Sequence, residues 1–387
     1  MTSKKTSAKA QPRRKSKAPH DGKPDLKSGD SPKVESPDGI GGFRSAQDAI
    51  DAMCKRLAKV KTIRCPLSAS SGLILAQDVV ADRPSPPVSV SAMDGYAVSR
   101  RHIRPGTIPV AAESRIGAPP PPFKNKTSAI RIVTGAPIPK GADAVIKREL
   151  VTDESPASIS ISAKIIAQCK KGQSIRAAGE NGDKGDKVAR AGALITAPVA
   201  SAMAAFGAHS PLVYRKIRVA IITTGDELVA VERKPTPYQL RDSNGPALHA
   251  LLTGASHRWL EVSQPTHVRD DSLDIATGAR AALMDHDVLV FTGGVSMGQR
   301  DFVPAVIREL KAEIIFHKIP QRPGRPVLGA IDRRGRLIMA LPGNPLSVMV
   351  TARRMLVPML MHLAGYPWRQ HGYVQVTAES STRIPMW

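Results

Sequence analysis

The sequence predicts an α/β protein: a doubly wound, mostly parallel sheet domain, plus an all-β insert module and a small mixed linker domain. Strand-like apolar runs alternate with helical segments from Lys216 onward, the texture of a sheet covered on both faces. Residues 84–173 instead carry short alternating runs broken by Pro and Gly, as a small β-module does. Hydrophobic residues make up 42% of the 387, enough for a sizeable core. At roughly 150 residues per domain, that length suits two or three domains.

Taken in order, residues 1–42 are rich in Lys, Ser, Pro, Asp and Gly. They offer too little apolar surface to offset the entropy of ordering and read as a disordered basic tail. In residues 45–59, Ala46, Ile50, Met53 and Leu57 share one helical face, and Ser45 suits the N-cap. Strands are expected over 107–112, 129–133, 144–147 and 158–166, with a rigid turn or edge at 119–122. Residues 196–207 predict a helix with Thr196 at the N-cap, Pro198 in the first turn and Gly207 just past the end. It is expected to pack near the Ser45 helix, so that 43–83 and 174–215 form one discontinuous linker or dimer domain around the insert at 84–173.

Residues 216–365 form the α/β unit. Buried strands are expected at 217–223, 287–292, 313–317 and 337–341, and helices at about 244–253, 272–284 and 302–311. A long helix from Pro345 to about Leu363 closes the unit, and Gly365 and Pro367 end it. Residues 372–378 then alternate as a strand does, and 380–387 begin a second. Two short strands cannot make an independent core.

Lys and Arg number 56 against 33 Asp and Glu, a formal charge of +23. The first 42 residues hold 10 of the basic and 5 of the acidic ones, so +18 belongs to the folded body. Such a body suits a polyanionic small substrate, and it invites a nucleic-acid reading. Aromatics at 4% argue against base-stacking platforms. Cys54, Cys65 and Cys169 are scattered and form no C-x-x-C pair, which disfavours a disulfide scaffold or zinc knuckle and fits a reducing cytoplasm. The most apolar stretch, 346–365, is interrupted by Arg353 and Arg354 and reads as a buried helix, not a membrane span.

In doubly wound sheets ligands bind beyond the carboxyl ends of the strands. The expected loops there are 223–228 (Thr-Thr-Gly-Asp-Glu-Leu), 292–301 (Thr-Gly-Gly-Val-Ser-Met-Gly-Gln-Arg-Asp) and 342–345 (Pro-Gly-Asn-Pro). Each sets small residues beside polar ones, where backbone N–H groups can meet an anion. Residues 293–298 match neither the dinucleotide fingerprint nor a P-loop, since Gln299 stands where the P-loop needs Lys. Asp226, Glu227, Asp270 and Asp301 are placed to hold Mg²⁺ against phosphate oxygens, with helix capping as the rival role. Residues 318–326 add Lys318, Arg322 and Arg325 on a loop stiffened by three prolines.

Five motifs stand in order: Ser-Ala-Met-Asp-Gly-Tyr-Ala (91–97), Thr-Gly-Ala-Pro-Ile-Pro (134–139), Thr-Gly-Asp-Glu-Leu (224–228), Gly-Gly-Val-Ser-Met-Gly (293–298) and Leu-Pro-Gly-Asn-Pro (341–345). Together they resemble the molybdopterin molybdenumtransferases, the family that includes the C-terminal domain of gephyrin, over roughly residues 45–365. The resemblance implies hydrolysis of adenylylated molybdopterin with release of AMP while molybdate enters between the two sulfurs. It also implies Mg²⁺, an elongated homodimer, and a cleft between the α/β domain of one subunit and the β-module of the other. An adenylyltransferase that supplies the substrate is a further implied partner.

Carried onto this chain, the resemblance implies catalytic roles for Asp94, Glu227 and Asp301, and metal binding by Glu227, Asp270 and Asp301. It implies substrate binding by Thr134, Gly135, Gly293, Gly294, Ser296, Lys318, Arg322, Arg325 and Asn344. Three departures stand out. Arg322 and Arg325 replace the family's usual lysines, and a planar fork changes oxyanion geometry. Asn181 stands where Asp is common. Only 22 residues follow Gly365, where the family continues into a further β-rich domain. Two other readings stay open: a non-catalytic pterin-binding or scaffold relative, and a basic nucleic-acid-binding protein. Acidic loops at the sheet edge oppose the latter.

Overall fold

The computed structural model describes residues 42–295 and 302–367. Residues 1–41, the stretch holding Ser296 and Asp301, and the strands expected over 372–387 lie outside the described residues.

A seven-stranded sheet organises the larger unit. Its order is Leu260–Val262, Ile217–Thr224, Val288–Thr292, Leu337–Leu341, Leu328–Ile331 and Glu313–His317, with Thr266–Val268 pairing the far end of Ile217–Thr224. The pairings from the outer edge through Leu337–Leu341 are parallel, while Leu328–Ile331 runs against both its neighbours. Strand side chains alternate between faces, and the core divides accordingly. Ile217, Val219 and Ile221 join one apolar cluster with Leu248, Val348 and Leu360, while Ala220 and Ile222 join a second with Ile275, Ala279 and Val306. The first face is covered by α1 (Ala46–Arg56), α4 (Asn244–Thr253), α7 (Pro345–Thr351) and α8 (Val357–Leu363), the second by α5 (Ser272–Asp285) and α6 (Val303–Glu309). Helices on both faces of a mainly parallel sheet make the doubly wound architecture.

Ser45 caps α1 by accepting from the Asp48 N–H, and Lys55 and Arg56 lie in its last turn. Its buried residues, Ile50 and Met53 among them, belong to the sheet's core, not to the linker. The expected packing against the 196–207 helix is therefore corrected. That helix, α3 (Ala197–Ala205), is alanine-rich and buries only Met203, in a separate cluster with Leu75 and Val213. Helix α1 packs instead against α8 and the Glu313–His317 strand. Each large side chain so buried contributes on the order of 1.5–3 kcal/mol.

The helix expected from Pro345 to Leu363 is interrupted. A π-helical turn, Ala352–Leu356, separates α7 from α8 just ahead of Pro358, which has no N–H for the regular ladder. Over the most apolar window of 345–363, the one helical stretch among the described residues long and apolar enough to cross a membrane, 56% is buried inside the protein.

The β-module is a five-stranded sheet in the order Ala144–Lys147, Gly95–Val98, Ala129–Ile132, Gly106–Ser114, Ser158–Ile161. It also holds one short helix, α2 (Ala163–Gln168). Here the sequence reading extended the last strand to Ile166, but the Ser162 hydroxyl accepts from the Ile165 N–H and starts the helix instead. Short antiparallel pairings, Thr62–Arg64 with Leu212–Tyr214 and Val79–Val80 with Lys187–Ala189, build the linker from both chain segments.

Candidate active site

Parallel register brings the carboxyl ends of the strands level. Thr224 pairs with Val268, Thr223 with Thr292, and Thr292 with Leu341. The loops holding Glu227, Asp270, Gly293 and Asn344 therefore leave one edge side by side. Glu313–His317 runs the same way through two reversals, so its loop, bearing Lys318, Arg322 and Arg325, leaves that edge too.

The glycines permit close approach. Gly293 has φ +94, and a Cβ there would stand 2.4 Å from the Thr224 carbonyl oxygen. The Gly293 N–H reaches the Leu341 carbonyl at 3.3 Å. Gly294 follows at φ +62. Behind Gly225 the Glu227 carboxylate folds back toward the backbone, and the His267 imidazole donates to the Gly225 carbonyl at 3.0 Å. Asp226 accepts from the Asp270 N–H at 3.2 Å, which ties two of the acidic loops together.

The cationic loop is fixed at both ends. The Lys318 N–H donates to the Val327 carbonyl, and the Ile319 N–H to that of Arg325. His317 donates from Nε2 to the Val295 carbonyl at 3.2 Å, joining this loop to the Gly293 loop. Arg322 and Arg325 are exposed and Lys318 is half-buried.

Capping accounts for some of the polar residues. Asn344 caps α7, accepting from the Ser347 N–H at 3.2 Å, and Asp242 accepts from the Gly245 N–H at the start of α4. Asp271, next to Asp270, caps α5.

Asp94, Thr134 and Gly135 lie on the β-module. Thr134 donates to Asp94, and Gly135, at φ +85, bonds through its N–H to the Ser91 carbonyl. Among the described residues no hydrogen bond or ion pair joins this group to the sheet edge. Arg176 donates to Glu180 and, at 2.7 Å, to Asn181 Oδ1, so the Asn181 side chain still serves as its acceptor.

Sequence reading missed Asn244, Thr292, His267 and His317, the residues that hold the edge together. The available signal was polar residues at the ends of otherwise apolar strands: Thr223, Thr224 and Thr292 are all buried.

A doubly wound sheet with acidic and glycine-bearing loops along its carboxyl edge and a cationic loop beside them defines an α/β protein carrying an inserted β-module. Residues 44–207 match the family described as MoeA N-terminal region (domain I and II), and residues 220–362 that described as probable molybdopterin binding domain. A molybdopterin molybdenumtransferase of Staphylococcus epidermidis is 35% identical over 78% of this chain and 71% of its own length. One of Synechococcus elongatus is 37% identical over 77% and 74%. The crystal structure of a molybdopterin biosynthesis MoeA protein from Pyrococcus horikosii superposes with a TM-score of 0.69 at 27% identity, over 83% of this chain and 80% of that one. The chain belongs to the molybdopterin molybdenumtransferase family.

Proposed function

We propose that this chain inserts molybdate between the two sulfurs of adenylylated molybdopterin, with release of AMP, as a transferase of molybdenum cofactor biosynthesis. The observation that carries the reading is the meeting, at one sheet edge, of a carboxylate group and a loop bearing three cations, in a chain of this family. Both substrates are oxyanions. Arg and Lys side chains bind them by charge and fixed donors, and the glycine turns leave room for the backbone to approach a phosphate.

In this reading Lys318, Arg322 and Arg325 hold molybdate and the phosphate. Gly293, Gly294, Ser296 and Asn344 bind the substrate, Gly293, Gly294 and Asn344 from adjoining loops at the sheet edge. Glu227, Asp270 and Asp301 are hard oxygen donors of the kind Mg²⁺ takes. Among the described residues no three acids form a metal cluster. Mg²⁺ needs only one or two carboxylates when substrate phosphates and water complete its shell, and in this reading Glu227 and Asp270 would supply them. Bound there, the ion would neutralise charge on the phosphate. Asp94 and Thr134 would reach the cleft from the β-module of a second subunit, which makes the active form a homodimer. The enzyme would work in the cytoplasm, fed by an adenylyltransferase, without nucleic acid or membrane.

Purified protein incubated with adenylylated molybdopterin, molybdate and Mg²⁺ should release AMP, and chelation of Mg²⁺ should stop it. Asp301→Ala should cut the rate while leaving the melting temperature in place. If the wild-type protein releases no AMP, the proposal fails. If Asp301→Ala turns over at full rate, Asp301 drops out of the mechanism.

A further inference from the structure

The Asn244 side chain, at the first position of α4, bridges two of the loops at the sheet edge. Its Nδ2 donates to the Thr292 hydroxyl at 3.0 Å and to the Gly343 carbonyl at 2.8 Å. The Thr292 hydroxyl in turn donates a hydrogen bond to the Pro342 carbonyl at 3.1 Å. One buried amide thus joins the start of α4, the end of the Val288–Thr292 strand and the Pro342–Asn344 loop. Asn244 reaches this point because the next residue is Gly245: a Cβ there would stand 2.9 Å from Pro265 Cβ and 3.2 Å from Thr223 Cγ2. The close approach of α4 to the sheet edge depends on that missing side chain.

Both donor hydrogens of the amide are used, but Asn244 Oδ1 is buried with no partner, in a residue only 8% exposed. Thr224 Oγ1, on the adjoining strand, is likewise buried and unpartnered, and it lies 3.1 Å from where a Gly294 Cβ would stand. A buried acceptor left unfilled costs on the order of 1–3 kcal/mol. An apolar side chain would avoid that cost but would supply neither bond of the bridge.

We propose that Asn244, acting with Thr292, is the positioning residue of the site: it sets the spacing between the Gly293–Gly294 turn and the Pro342–Asn344 loop, and thereby the affinity for the pterin substrate. It acts through these loops without touching the reacting atoms. The effect on turnover rests on the function proposed above; the effect on the loops does not.

Thr292→Val replaces a hydroxyl with a methyl of nearly the same shape, and Thr292→Ser restores the hydroxyl. At a temperature well below melting, Thr292→Val should raise KM for adenylylated molybdopterin about tenfold, as expected for losing roughly one hydrogen bond's contribution to binding, with kcat within about twofold. Thr292→Ser should return KM to near wild type, and Asn244→Ala, which loses both bonds of the bridge, should raise KM at least as far as Thr292→Val if it folds. Independently of any substrate, amide hydrogen exchange at Gly293 and Gly294 should quicken in Thr292→Val and recover in Thr292→Ser. Unchanged exchange at these glycines overturns the proposal whatever the activity. An active wild type with an unchanged KM in Thr292→Val overturns it too. If the wild type releases no AMP, the functional reading fails, while the exchange experiment still decides whether Asn244 and Thr292 set the loops.

Discussion

Thr134 gives both its backbone N–H and its hydroxyl to the same oxygen of Asp94, each at 2.7 Å. The N–H bond and the hydroxyl bond, with a lesser contribution from the Arg148 charge, hold the Asp94 carboxyl below the usual carboxylate range against the opposing effect of desolvation. Asp94 is therefore ionised throughout the neutral range. It is suited to accept hydrogen bonds or stabilise positive charge, and unsuited to donate a proton.

Thr134→Val removes the hydroxyl but keeps the N–H. The Asp94 pKa should rise toward its ordinary value, and AMP release should fall about tenfold, the equivalent of one hydrogen bond to a charged group. The sign follows from the depressed pKa: the ionised form is complete above the ordinary carboxylate value and is lost as pH falls through the lower folded one. The acid limb of the pH–rate profile should accordingly move to higher pH in Thr134→Val and return in Thr134→Ser. A fixed acid limb together with full turnover would separate this pair from the chemistry.

Gly293→Ala should disable the sheet edge. The new Cβ would meet the Thr224 carbonyl at 2.4 Å on a backbone with φ +94, so steric overlap and left-handed strain act together. A loss of at least about 2 kcal/mol in unfolding free energy is expected. Denaturant melts check the stability. Wild-type stability in the variant would mean that the turn relaxes at little cost.

The doubly wound unit was legible because its strands are continuous apolar runs and two of its helices, α5 and α7, start on side-chain caps. Asp287, Glu313 and Leu337 open the expected strands within a residue of where they begin. The Leu328–Ile331 strand was not, since four residues behind a proline give too short a pattern. Helix α1 was found from its stripe, but its destination was missed: periodicity tells which face is buried, not what buries it. The same limit applied at the site. Glycines and acids mark a loop in the sequence, whereas Asn244 reads as one more polar residue until the fold brings Thr292 and Gly343 against it.

Asp287 anchors the entry to the α/β unit. Arg215 grips it with two guanidinium bonds at 2.6 and 2.7 Å, and the Arg218 N–H adds a third at 2.9 Å. Burial pushes the Asp287 carboxyl up, but these bonds and the two arginine charges outweigh it and hold the pKa below 3.8. Asp287→Ala should cost about 2–3 kcal/mol at pH 7, at or below the lower end for a broken buried pair because both side chains keep some exposure. The depressed pKa means that this stability is in place above pH 3.8 and is lost as pH falls below it. The gap in melting temperature between wild type and variant should therefore narrow below that value. A gap unchanged at pH 3 would mean that the carboxylate charge is not its source.

The cationic loop offers a way to move two charges without removing either. Gly324, between Arg322 and Arg325, has φ +92 and sits directly on Thr351 of α7: a Cβ there would lie 2.1 Å from Thr351 Oγ1 and 3.0 Å from Gln321 Nε2. Gln321 is buried beneath the loop and donates to the Gly324 carbonyl at 3.1 Å. The loop is thus seated on the helix at the one residue that cannot tolerate a side chain. Gly324→Ala should lift it, leaving both guanidinium groups in the protein but displaced. If their position matters for molybdate, KM for molybdate should rise about tenfold or more in Gly324→Ala, a loss comparable to one charge-assisted hydrogen bond. Arg325→Lys keeps the seat and the charge and loses only the planar fork, so its effect should be smaller. If their charge alone matters, both variants should bind molybdate as the wild type does, and the rigid seating of the loop would then serve the fold alone.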